Sequence, residues 1–392
     1  MRNTLVILPQ ETMIDRILLF PYYLVLKTRH FLFDHGFRKV SKGAIPTICI
    51  GNVTVGGTGK TPHTELIVKE LIENCGVNAG SLAILSRGHK RSLKGFQVVD
   101  AEGKAREYGD EPLQMKRKFP EITVAVDKDR LHGLKVLADP QSFLSTKKAK
   151  KCRAKAIPSA SIAVLDDGFQ YRNLKPDLSI VLVDYNRSVT GDMLLPLGNL
   201  RDLPERIADA DVLIVTKCPW ELTPWEEDKW AISMGIERYN QKEACGIRGD
   251  NGRKQYLFFT RTGYDTAKAV FPEGDSRYLY SKMAVMFSGI ADDTAFSEQL
   301  RLSYRLVGHI SFPDHHKFSS ADIRAVEKQA AEFPTSLVIT TEKDAQRVRD
   351  CSRISDELKK RLFYLPIKAE FLSDSAREVF HSIIFSAATF RL

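Results

Sequence analysis

One stretch limits what this chain can fold into: Gly51-Asn-Val-Thr-Val-Gly-Gly-Thr-Gly-Lys-Thr-Pro62. Ahead of it runs Ile45-Pro-Thr-Ile-Cys-Ile50, short, apolar and rich in β-branched residues, which predicts a buried strand. Behind it runs Thr64-Glu-Leu-Ile-Val-Lys-Glu-Leu-Ile72, with apolar residues at helical spacing. A glycine-rich turn between a strand and a helix is the setting of a phosphate-binding loop. Glycines let backbone N–H groups crowd around an anion, and the helix N-terminus adds partial positive charge. In this reading Thr54, Gly56, Gly57, Thr58 and Gly59 form the cradle. Lys60 reaches the β- and γ-phosphates, and the Thr61 hydroxyl holds Mg²⁺. The usual pattern carries glycine where Thr54 stands, which is the loop's one departure.

Further apolar runs alternate with helical patterns: Ser81–Leu85, Ile122–Val126, Ser161–Leu165, Leu178–Asp184 and 211–216. This predicts an α/β fold, a P-loop NTPase domain with a mainly parallel sheet. Residues 219–255 read as a helix followed by a loop. A smaller α/β domain then begins, with strands at 255–260, 284–290, 304–310 and 337–341. The expected division is an N-terminal segment 1–35, a larger domain 36–254 and a smaller one 255–392, whose final helix is a candidate to pack back on the larger.

The N-terminal segment has an apolar core from Ile17 to Leu26. It is about half the length of a membrane-spanning helix. Pro21 interrupts it, and Arg16, Lys27, Arg29, Arg38 and Lys39 surround it. Two readings stand: a helix lying in a membrane interface, or one packed on its own domain. The chain's net charge of +9 over 392 residues suits an anionic partner, without choosing among nucleotide, phospholipid and phosphorylated substrate. The basic run Lys147–Lys155 reads as a solvated surface segment. Six scattered cysteines with no Cys-x-x-Cys pair point to a reducing compartment, without disulfides or zinc.

Phosphoryl transfer needs a cradle, a metal and a group that orients the nucleophile. Asp166 and Asp167 follow the buried run Ser161–Leu165, which suits an acidic pair for Mg²⁺. Two clusters are candidates for a base. One is Gly109-Asp-Glu-Pro112; the other is Asp314-His-His316, where a carboxylate beside an imidazole is the usual proton-accepting pair. On sequence alone, Asp-His-His is more often a cap or a surface loop.

The chain resembles the tetraacyldisaccharide 4′-kinase family of lipid A biosynthesis. Seven short motifs, in order, carry the resemblance: 51–62, Ser86-Arg-Gly88, Gly109-Asp-Glu-Pro112, Asp166-Asp-Gly-Phe-Gln170, Leu195-Pro-Leu-Gly-Asn-Leu-Arg201, Asp314-His315 and Thr341-Glu-Lys-Asp-Ala345. Threonine at position 54 is normal in that family. The resemblance implies a kinase that moves the γ-phosphate of ATP to the 4′-hydroxyl of a tetraacylated glucosamine disaccharide 1-phosphate, making lipid IVA. Its partners are then the lipid A disaccharide precursor and a membrane surface, with no nucleic acid; a monomer is expected. Its place is the cytoplasmic face of the bacterial inner membrane, peripheral or monotopic.

Residue by residue, the resemblance makes Lys60 a catalytic phosphate ligand and Thr61, Asp166 and Asp167 the Mg²⁺ ligands. Asp110 is the base, partnered by His315 of the smaller domain. Glu111 is a neighbouring metal or substrate contact, and Arg201 faces the anionic head group. Arg87, His89 and Tyr171 complete the substrate set. At His89, Lys90 and Tyr171 the chain departs from the family pattern (Ser-Arg-Gly-Tyr-Gly-Arg, and His after Asp-Asp-Gly-Phe-Gln). Rival readings fit less well. Membrane-surface switch ATPases carry a second lysine where Val55 stands, P-loop metallochaperones carry Cys/His clusters, and nucleic-acid ATPases interleave aromatic and basic residues.

Overall fold

The computed structural model describes residues 13–89, 91–314, 316–351 and 353–389. Its larger unit is built on an eleven-stranded sheet. The strand Thr47–Asn52, buried along its whole length, lies between Ile162–Asp166 and Leu178–Asp184, parallel to both. Leu82–Ser86 and Thr123–Val126 extend the parallel run on one side. Val212–Thr216 and then Lys254–Tyr264 extend it on the other. Strands buried on both faces need continuous apolar sequence, and Leu-Ser-Ile-Val-Leu-Val-Asp184 is the fullest case. Within 219–255, read as a helix followed by a loop, the helix Pro224–Ser233 is followed by two antiparallel edge strands, Ile236–Asn240 and Cys245–Arg248. They alternate polar and apolar too irregularly to be seen in sequence.

Five strands make the smaller sheet, in the order 268–269, 362–365, 337–341, 283–288, 305–311. Its apolar cores are separate from those of the larger unit. Lys254–Tyr264 is shared. Its first half pairs with Val212–Thr216, and Thr260–Tyr264 pairs antiparallel with Ile367–Phe371. This ribbon carries the chain into the smaller unit and back. The final helix, Asp374–Thr389, then buries Phe380, Ile384 and Ala388 in the larger unit's core.

The N-terminal helix spans Met13–Asp34, with Pro21 inside it. Leu19, Leu26, His30 and Phe33 form a buried stripe at helical spacing. The other side is also apolar: Ile17, Leu18, Phe20, Leu24, Val25 and Phe31 are exposed, Ile17 at 65% and Val25 at 63%. The buried stripe packs the helix on its own domain, and the opposite side is left exposed and apolar. Among the described residues, no helix is long and apolar enough to cross a membrane. The basic rim is partly used internally, since Lys27 pairs with Glu205 at 2.6 Å and Arg29 donates to the Gln170 carbonyl.

The two units meet through polar side chains. Lys118 Nζ lies 2.6 Å from Glu65 and 3.1 Å from Glu342, and Arg117 donates to Gln346 at 2.7 Å. Burial pushes the Glu65 carboxyl up to about 7, against the pull of Lys118.

At the end of Thr47–Asn52 the backbone passes close to the turn after Asp167. A Cβ on Gly51 would stand 2.6 Å from Phe169 Cβ. We expect Gly51→Ala to cost about 1–3 kcal/mol of stability as the strand end is forced from the turn. Urea unfolding with an unchanged m-value and a lower midpoint is the measurement.

Candidate active site

The site lies at the C-terminal ends of the central strands, where ligands sit in open α/β sheets. Gly56 and Gly59 have φ of 93° and 81°, angles that suit glycine, and Gly59 caps the helix Lys60–Lys69. The loop is held from three sides. Asn52 Nδ2 donates to Thr58 Oγ1 at 2.8 Å, and Thr216 Oγ1 donates to the Thr58 carbonyl at 3.1 Å. His63 Nδ1–H donates to the Gly59 carbonyl at 2.7 Å, and burial pushes this imidazole down to about 4, so it stays neutral. Thr54 is buried and bridges to Leu200, while Val55 N–H donates to the Asn199 carbonyl. Thr54 therefore ties the loop to the 195–201 motif. Gly56 and Gly57 are exposed, and the Arg187 guanidinium lies beside Gly56.

The strand register sets Asp166 opposite Ile50, beside the loop. Burial pushes the Asp166 carboxyl up to about 7, and the negative charges of Glu111 and Asp167 add to the effect; Lys60 and Arg130 oppose it. Asp167 behaves in the opposite way. Burial would raise it, but the Arg201 hydrogen bond, with Lys60, Arg201 and Arg130 charge, holds it below the usual carboxylate range. Its backbone is left-handed, with φ of 53°.

Arg201, expected at the lipid head group, is turned inward. It donates to Asp167 Oδ2 at 3.2 Å, to the Asn52 carbonyl at 3.3 Å and to the Asn52 side chain. One guanidinium thus links the acid pair to the loop's strand. Lys60 Nζ lies 3.5 Å from Asn52 Oδ1, on the same side chain.

The donor set fits Mg²⁺. Asp166, Asp167 and the Thr61 hydroxyl offer only hard oxygen ligands, and two carboxylates suffice for an ion that keeps water and phosphate in its shell. Among the described residues no three carboxylate, imidazole or thiol groups converge into a self-sufficient metal site. The Nε atoms of Arg130 and Arg201 are buried without a protein partner, so the site retains unsatisfied cationic donors suited to an anion.

Asp110 begins the helix Asp110–Lys118, with Glu111 next to it. Its expected partner, His315, lies outside the described residues. Among the described residues, the side chain that reaches Asp110 from the smaller unit is Arg347, whose Nε and Nη2 donate to Asp110 Oδ2 at 2.8 and 2.7 Å. His316 bonds Asp322 at 3.0 Å, away from Asp110. Arg87 and His89 are exposed in the loop after Leu82–Ser86. Tyr171 donates to Asp129 Oδ1 at 2.7 Å, with the Arg130 guanidinium over its ring. Sequence reasoning missed Asn52, Arg130, Arg187 and Arg347. Asn52 and Arg347 sit in or beside quoted motifs, and Arg130 and Arg187 carry no pattern of their own.

A glycine-rich cradle with a lysine and an acidic pair across parallel strands defines a P-loop phosphotransferase. The family model for tetraacyldisaccharide-1-P 4′-kinase matches residues 14–384. Tetraacyldisaccharide 4′-kinase of Bacteroides thetaiotaomicron is 36% identical over 366 residues, covering 90% of this chain and 87% of that one. The enzyme of the same name from Phocaeicola vulgatus is 36% identical over 362 residues, covering 91% and 89%. The crystal structure of LpxK from Aquifex aeolicus in complex with ATP superposes with a TM-score of 0.65 at 25% identity, over 94% of this chain and 99% of that one. The chain belongs to the tetraacyldisaccharide-1-P 4′-kinase family.

The raised Asp166 carboxyl gives a pH test. Below about 7 this group carries a proton that a cation must displace; above it the carboxylate is already charged. Apparent Mg²⁺ affinity should rise about tenfold from pH 6 to pH 8 and then flatten. Asp166→Asn should remove both the slope and most of the affinity in calorimetric titration.

Proposed function

We propose that the chain transfers the γ-phosphate of ATP to the 4′-hydroxyl of tetraacyldisaccharide 1-phosphate at a membrane surface, forming lipid IVA. The observation that carries this reading is the loop Gly56–Thr61 set against Asp166 and Asp167 within a family match spanning residues 14–384. Bound Mg²⁺ neutralises phosphate charge in this chemistry. Thr61, Asp166 and Asp167 are the residues to hold it, with Glu111 at their edge. Loop N–H groups and Lys60 hold the phosphates in line.

Asp110 takes the proton from the 4′-hydroxyl as its oxygen bonds to phosphorus and the bond from phosphorus to the leaving ADP oxygen breaks. His315, next to Asp314 in the smaller unit, assists Asp110. Arg87, His89 and Tyr171 border the acceptor side. The acceptor keeps its acyl chains in lipid, so the exposed apolar face of the N-terminal helix serves as the membrane contact. ATP is supplied on the cytoplasmic side of the inner membrane, so the enzyme works there as a peripheral protein; a monomer is the reading adopted for it.

Incubation with labelled ATP, Mg²⁺ and detergent-dispersed disaccharide 1-phosphate should label the lipid. Hydrolysis with no lipid labelling would exclude the kinase reading. Lys60→Ala should lower kcat by about a hundredfold or more. Deleting the N-terminal helix is a poor membrane test, because Leu19, Leu26 and Phe33 belong to the fold. Replacing Ile17, Phe20, Leu24 and Val25 together with Ser should lower vesicle binding by about tenfold or more while leaving stability near wild type. Unchanged co-sedimentation would mean that this face is not the membrane contact.

A further inference from the structure

We infer that Arg347 is a positioning residue for the reaction: it crosses from the smaller unit to fix the Asp110 carboxylate toward the acceptor hydroxyl. This rests on the reading of Asp110 as the base. Asp110 stands at a helix N-terminus with its side chain 26% exposed. A general base must lie within hydrogen-bond reach of the proton it takes. Arg347 supplies the missing constraint. Both of its contacts, at 2.8 and 2.7 Å, go to Oδ2. The pair leaves Oδ1 as the oxygen offered to the substrate.

Arg347 is itself held from behind. Its Nη1 donates to Asp344 Oδ1 at 3.0 Å and to the Gly289 carbonyl at 3.3 Å. Asp344 is fully buried and accepts from the Gly289 N–H at 2.8 Å and from Thr341 Oγ1 at 2.7 Å. A line of bonds therefore runs Thr341–Asp344–Arg347–Asp110, from the smaller unit's interior to the reacting edge of the larger. Only the last link crosses between units.

Two facts separate positioning from simple docking. Asp344 already balances the Arg347 charge within its own helix, so burial of the guanidinium does not require Asp110. And docking has its own ties at Lys118–Glu342 and Arg117–Gln346.

The test is a double-mutant cycle in the lipid-labelling assay with the full chain, ATP and Mg²⁺. Arg347→Gln should lower kcat by about thirtyfold or more with the KM for ATP changed less than about threefold. Arg347→Lys, which keeps the charge but offers one nitrogen, should fall between Gln and wild type. In an Asp110→Asn background, Arg347→Gln should cost less than about threefold, because the group it positions is gone. Equal losses in both backgrounds would overturn the inference and leave the Asp110 reading intact. Should Asp110→Asn alone prove as active as wild type, the base reading fails first, and the positioning role with it. If Arg347→Gln does not fold, Arg347→Lys in the two backgrounds decides by the same criterion.

Discussion

The site depends on one guanidinium. Arg201 joins Asp167, the carbonyl of Asn52 and the side chain of Asn52, so the acid pair and the phosphate loop's strand are one rigid body. This contact accounts for several oddities nearby. A left-handed aspartate costs on the order of 1 kcal/mol, and a charge-assisted pair offsets it. Asp166 and Asp167 are neighbours with opposite shifts because Arg201 serves only one of them. The site therefore keeps one carboxylate charged and one poised to lose its proton when a cation arrives.

The 195–201 motif also ties the site to the N-terminal helix, whose outer face is exposed among the described residues. Tyr22 donates its hydroxyl to the Arg201 carbonyl at 2.9 Å. The next residue, Asp202, accepts from His30 at 2.6 Å. Arg172 can only donate, so His30 Nδ1 accepts from it at 2.8 Å and Nε2–H points to Asp202, which fixes the tautomer. The stripe that makes the helix part of the fold thus also sets the backbone that carries Arg201. Its Pro21 is tolerated at an exposed position, and the apolar residues left outside are those a purely packed helix would not need.

The parts of this arrangement that are local in sequence are the parts that were legible there. A strand, a glycine turn and a helix read directly from 45–72, because each residue type answers a backbone demand. The acidic pair read equally well from the apolar run before it. Arg201 was visible as a motif, but its contacts were not, since its acceptors on Asn52 and Asp167 lie 149 and 34 positions away. Arg347 was hidden for a similar reason. Thr341-Glu-Lys-Asp-Ala345 was legible only as a motif after the 337–341 strand; Thr341 caps a new helix, Glu342–Val348, that brings Arg347 to Asp110 237 positions away. The hairpin at 236–248 was missed because edge strands are half exposed and carry no continuous apolar run.

The character of the contact between the two units follows from what the reaction asks of it. An apolar seam would hold the smaller unit shut, and a bulky lipid product could not leave. Here the cores are separate and the seam is made of Lys118, Glu65, Glu342, Arg117 and Gln346. Taking such charges out of water offsets much of what their pairing returns, so a seam of this kind holds less tightly than an apolar one of similar area. The covalent link is the two-stranded ribbon of Thr260–Tyr264 and Ile367–Phe371. A reaction centre completed across such a seam is assembled only while the units are together. In the proposed mechanism, water meets an incomplete site whenever the units are apart.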